Sequence, residues 1–141
     1  MATIQPYLFF RGRCEEAIKF YEKALGAKVG MMMRFKDNPD KPPESAVPAS
    51  MDDRIMHASV DIAGANVMMS DGMKDGGPAF GSMSLSLTVT DPADVDRYFN
   101  ALAEGGEAEM PLAKTFFAER FGGVKDKFGL SWMIICEAKR P

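Results

Sequence analysis

The stretch DDRIMHASVDIAGANVMMSD holds the one histidine of the 141-residue chain, His57. A lone imidazole can be a metal ligand, a general acid or base, or ordinary strand filling. If the stretch folds back on itself as a hairpin, Asp71 comes near the ring. A carboxylate there would orient the imidazole and favour its charged form, as a general base needs, or help it bind a ligand hydroxyl or phosphate. A second group of chemically capable residues lies in TFFAERFGG and LSWMI, which supply Phe116, Phe117, Glu119, Arg120 and Trp132. Rings beside a guanidinium take up planar or anionic molecules by stacking and charge, and Glu119 is a second carboxylate for His57. The bland alternative makes Phe116 and Trp132 core and Arg120 a solvated charge.

These residues need elements to hold them, and the elements come twice. CEEAIKFYEKALGAKV places Cys14, Ala17, Ile18, Tyr21, Ala24 and Leu25 on one helical face, with Gly26 placed as a left-handed cap. DPADVDRYFNALAEGG repeats the pattern with Val95, Tyr98, Phe99 and Leu102; Asp91 is the N-cap, Pro92 opens the helix and Gly105 closes it. Strand-like runs precede the helices, IQPYLFF and MSLSLTV. Three strand candidates follow each: KVGMMMRF, RIMHASVDI and NVMMS, then EAEMPLAKTF, ERFGGVKD and LSWMIICEA. The spacing predicts an α+β chain of two βαβββ modules, residues 1–73 and 82–141. The proline-bearing run 37–53 is an excursion inside the first module, 74–81 is a linker, and the modules together make one structural domain. Within GGVKDKFG, Asp126 is placed to accept turn N–H groups and Gly129 to supply positive φ.

Bulk properties exclude several classes. A net charge of -3 gives no electrostatic case for nucleic acid. No apolar run reaches the roughly 20 residues of a membrane span, so a cytoplasmic location is the expectation. Cys14 and Cys136 form no CxxC pair and read as core thiols. The 12 methionines suit an adaptable pocket or a loosely specified core. Neither glycine-bearing joint has the strand–loop–helix order of a phosphate cradle. In SMSLSLTVT, Met83, Leu85, Leu87 and Val89 alternate with Ser84, Ser86 and Thr88, so the hydroxyls face solvent or a wet cavity. The same alternation places His57 with Ser59 and Asp61, opposite Met56, Ala58, Val60 and Ile62.

The paired modules, the opening PYLFFRGRCEEAIKFY, the hairpin IMHASVDIAGANVMMSD and the closing GGVKDKFGLSWMI resemble the PhnB-like branch of the vicinal oxygen chelate superfamily, which includes glyoxalase I, extradiol dioxygenases and bleomycin-resistance proteins. The resemblance covers nearly the whole chain. It implies curved, mixed sheets forming a cup, as in the glyoxalase and dihydroxybiphenyl-dioxygenase fold, and a homodimer. It also implies, in metal-dependent members, a divalent ion held by four His, Glu or Gln side chains. Carried over one by one, those positions fall on Gln5 (or Pro6), Met69, Ser84 and Met133. Hydroxyl and thioether groups do not replace imidazole and carboxylate for such an ion, so no metal and no other cofactor is expected. The reading is a protein that binds an unidentified small molecule, with Gln5, Tyr7, Met69, Ser84, Phe116, Glu119, Arg120, Trp132 and Met133 as ligand contacts. The alternative is a lyase, isomerase or dioxygenase using His57 and Asp71 in acid–base chemistry, or an atypical metal site. The superfamily branch has been labelled a ubiquinone-pathway methyltransferase; the chain lacks the glycine loop that holds S-adenosylmethionine.

Overall fold

The computed structural model describes residues 2–40, 46–77 and 80–138. Pro42 and Pro43 of the excursion and Pro78 and Ala79 of the linker lie outside the described residues. The chain is α+β and divides into two compact units, Met1–Ala79 and Phe80–Pro141, each with an open four-stranded mixed sheet.

The first unit runs β1 (Tyr7–Phe9), α1 (Cys14–Leu25), β2 (Lys28–Arg34), β3 (Ile55–Ile62) and β4 (Ala65–Ser70). The sheet order is β1-β4-β3-β2, with β1 parallel to β4 and the other pairs antiparallel. Helix α1 buries Cys14, Ala17, Ile18, Tyr21 and Ala24 and ends at Gly26, whose φ of 68° is the left-handed cap its position predicts. Leu8, Ala58, Val60, Val67 and Met69 are buried with it. The β3–β4 hairpin turns at Ala63 and Gly64, both at positive φ, and the Asp61 carboxylate accepts from the Gly64 N–H at 2.9 Å. Two left-handed central residues give the turn whose twist matches the flanking strands.

The second unit runs β5 (Ser84–Val89), α2 (Pro92–Ala103), β6 (Glu107–Ala113), β7 (Ala118–Lys125) and β8 (Ser131–Glu137), in sheet order β5-β8-β7-β6. Asp91 caps α2 by accepting from the Ala93 N–H at 2.9 Å, and Pro92 opens the helix. The helix stops at Ala103, and Gly105 takes φ 76° just beyond the Glu104 cap. Consecutive strand residues face opposite ways, which explains the Gly122–Gly123 pair. A Cβ on Gly122 would meet the Phe99 ring of α2 at 2.8 Å, whereas one on Gly123 would meet the Met110 methyl at 3.0 Å on the open face. One glycine admits the helix; the other keeps the open face hollow. Both cysteines are buried thiols, and burial, then Asp71 and Glu15, push the Cys14 thiol well above its ordinary value. Among the described residues no helix is long and apolar enough to cross a membrane.

Candidate functional site

Each sheet presents one face to its helix and leaves the other open, so the register decides which side chains share an open face. In the first unit Tyr7 is opposite Met68 on β4, Met68 is opposite Ser59 on β3, and His57 and Ser59 are opposite Met33 and Met31 on β2. Tyr7, Phe9, His57, Ser59, Met31, Met33 and Met68 therefore share one face. Tyr7 Oη and His57 Nδ1 are 3.0 Å apart, and their rings meet edge-on at 5.6 Å. Tyr7 and Phe9, two residues apart on β1, stack at 4.9 Å. Burial, then the Cys14 thiol, holds the Tyr7 hydroxyl above its ordinary value. His57 thus lies on the polar face that alternation assigns, and its partner is Tyr7.

Asp71 is not that partner. It is 2% exposed, just past β4, and its Oδ1 accepts from the Gly12 and Cys14 N–H groups at 2.8 Å each. Its Oδ2 accepts from the Ile55 N–H at 2.9 Å. The carboxylate fastens the β1–α1 connection to the start of β3. Met69 is opposite Leu8 and Ala58 and fully buried, so the β4 residue beside Tyr7 is Met68. Gln5 is half-buried two residues before β1.

The second unit's open face holds a cavity of about 560 Å³, within the size range of small-molecule sites. Its lining is of two kinds. Ser84, Ser131, Glu109 and Lys125 supply polar groups, and the Ser131 hydroxyl donates to Glu109 Oε1 at 2.7 Å. Phe80, Met83, Met110 and Met133 supply apolar and thioether surface. Met110 and Met133 are both opposite Gly123, from β6 and β8, so the missing side chain leaves a trough between them.

Ser84 and Met133, two of the residues singled out in the sequence, line this cavity. The other candidates of this unit divide. Trp132 is opposite Leu85 and Val124, the helix-side face; it is 3% exposed and donates through Nε1 to Asp126 Oδ2 at 2.9 Å, so it forms the cavity's wall from behind. Arg120 turns to α2 and grips both oxygens of Asp96, at 2.8 and 3.1 Å. That guanidinium holds the Asp96 carboxyl below its usual range. Phe116 sits in the β6–β7 connection, 95% exposed, and Glu119 is half-buried where the β7–β8 register shifts between Ala118 and Arg120. Neither lines the cavity. Glu109, Lys125, Met110 and Ser131 were missed from the sequence. Alternation from Ser84 and Met133 across the neighbouring strands was the signal available for them.

The family model described as 3-demethylubiquinone-9 3-methyltransferase matches residues 2–135. The Escherichia coli K12 protein YjdN is 38% identical over 98% of this chain and 97% of its own. The chain belongs to the PhnB-like family. In the Pseudomonas aeruginosa protein PA1353 the same fold recurs at 39% identity, with a TM-score of 0.79 over 99% of this chain and 100% of that one. The PhnB protein of Bacillus cereus is 27% identical, with a TM-score of 0.77 over 96% and 99%.

Members of the wider superfamily that use a metal need a donor set that the implied positions of this PhnB-like chain do not supply. Register replaces Met69 by Met68, so the implied positions carry an amide, two thioethers and a hydroxyl. Among the described residues no three His, Cys, Asp or Glu side chains converge as a metal site. A hard or borderline divalent ion does not fit these residues.

Proposed function

We propose that this PhnB-like protein binds a small molecule in the cavity on the open face of its second sheet, without the superfamily's divalent metal. The observation that carries this is the mixed lining. Lys125, Glu109 and the two serines supply a few polar groups that fix orientation, and Met83, Met110, Met133 and Phe80 supply polarisable surface that adapts to shape. A ligand with an apolar body and one polar or anionic end suits it. The family's description names a methyltransferase, but the strand-to-helix connections argue against S-adenosylmethionine. β1 leads into α1 through Phe10–Arg11–Gly12–Arg13 and β5 into α2 through Thr90–Asp91, and neither forms a glycine-rich cradle.

Anilinonaphthalene sulfonate has this ligand shape, and Trp132, the chain's one tryptophan, stands at the cavity wall as an energy-transfer donor. The dye is expected to bind saturably and quench Trp132. Gly123→Leu fills the trough beside Met110 and should weaken binding by about tenfold or more, as overfilling a preformed site does. Unchanged affinity in that variant would refute the cavity as the site. The same preparation is expected to hold no stoichiometric divalent metal, and a chelator to leave its melting temperature unchanged.

We also propose an isologous homodimer. The seven-residue strands β2 and β6 are sheet edges, and β2 exposes Val29, Met31 and Met32, surface that natural sheets protect by pairing or cover. Sedimentation at micromolar concentration is expected to give the dimer mass; monomer alone would refute it.

A further inference from the structure

We propose that two methionines of the second-unit cavity, Met110 and Met83, are an oxidation site for hydroperoxides, and that their sulfoxides lower the cavity's affinity for its ligand. The inference rests on the reading of that cavity as a ligand site and adds a control on it.

The thiols are out of an oxidant's reach. Cys14 is fully buried and Cys136 is 3% exposed. A thiol reacts with peroxide as its thiolate, and burial, then Asp71 and Glu15, holds Cys14 protonated. The Cys136 thiol donates to the Thr90 carbonyl. A thioether needs no deprotonation, so exposure decides its access. Met110 is 40% and Met83 44% exposed, and both line the cavity.

The position of Met110 makes its oxidation consequential. A Cβ on Gly123 would meet both ends of the Met110 side chain, its Cβ at 3.4 Å and its terminal methyl at 3.0 Å. The side chain is therefore folded across the trough with its sulfur between those ends. A sulfur lone pair attacks one oxygen of hydrogen peroxide and the O–O bond breaks. The departing hydroxide takes the proton from the new S–OH and leaves as water. Sulfur loses two electrons and the peroxide gains them, which leaves a sulfoxide. A polar S=O then stands where the apolar body of a ligand would rest. Lys125 lies two residues along β7 from Gly123, so its ammonium shares that face and can donate to the new oxygen. A ligand would lose apolar surface and a polar anchor together. Met73, the 67%-exposed methionine of the first unit, is not among the cavity's lining residues.

The test treats the full chain with hydrogen peroxide, locates the added oxygen by peptide mass spectrometry, and titrates each preparation with anilinonaphthalene sulfonate. Dye affinity is expected to fall about tenfold as Met110 and Met83 take up oxygen, and to return when methionine sulfoxide reductases for both epimers restore the thioethers. A double variant, Met83→Leu with Met110→Leu, makes volume-conserving changes at exposed positions. It should bring the ratio of untreated to treated affinity close to one, whereas Met73→Leu should leave that ratio at about tenfold. No dye binding by the untreated protein would refute the cavity reading and this inference with it. Binding that survives oxidation of Met110 and Met83, a loss that the reductases do not reverse, or an undiminished loss in the double variant would overturn the inference alone.

Discussion

Alanine at position 71 is expected to lower the stability of the chain by about 4 kcal/mol, since an unsatisfied buried donor costs about 1–3 kcal/mol and this side chain satisfies several. The 2%-exposed carboxylate accepts from Gly12, Cys14 and Ile55, residues brought together from the β1–α1 loop, the first turn of α1 and the start of β3. No side chain at the Arg13 cap position accepts a hydrogen bond from the helix, so Asp71 is the acceptor that α1 uses. Asp71→Asn keeps one oxygen but aims an N–H₂ at amide donors, and should cost nearly as much, about 3 kcal/mol. Urea unfolding followed by circular dichroism measures both. A loss below about 1 kcal/mol for Asp71→Ala would show that these three bonds contribute little net stability. A catalytic role predicts the opposite pattern, a folded and stable variant that has lost only activity.

The two buried aspartates show what was legible in the sequence and what was not. Asp126 sits in a tight turn, and its acceptors' partners are close in sequence: the Phe128 and Leu130 N–H groups at 2.9 and 3.1 Å. A local turn rule finds it. Asp71 works in the same way, but its donors at positions 12 and 14 are nearly sixty residues away, so the hairpin pattern pointed instead to His57. The missing cap at Arg13 was the available signal that α1 borrows an acceptor from elsewhere. The helices, their glycine and aspartate caps and the eight strands followed from periodicity, because their determinants are local. Side-chain facing failed where one residue of slip matters. Met68 replaces Met69 by register. Trp132 and Met133 are adjacent in β8 and cannot share a face. Arg120 has the same parity as Gly122 and Val124, so it faces α2 and Asp96 and not the open face.

Alanine at Gly106 is expected to cost about 3 kcal/mol, the upper range for overpacking, although it adds one methyl group at a loop position. Its Cβ would collide with the Lys125 carbonyl oxygen and lie 2.9 Å from the Asp126 Cα and carbonyl carbon, all of them backbone atoms. A flexible side chain can swing aside, but here β6 must part from the end of β7, beginning with the Glu107–Lys125 pair. That movement pulls on Lys125, one of the cavity's polar groups, and on Asp126, which takes the Trp132 Nε1–H at 2.9 Å. Reduced stability, red-shifted Trp132 emission and weaker dye binding should therefore appear together. Gly123→Ala is the control: its Cβ would meet the terminal methyl of Met110 at 3.0 Å, and a 40%-exposed methionine can move. Its stability should stay within about 1 kcal/mol of wild type. Equal losses at the two glycines, or wild-type stability for Gly106→Ala, would show that the approach of β6 to the β7 turn does not constrain the cavity's polar groups.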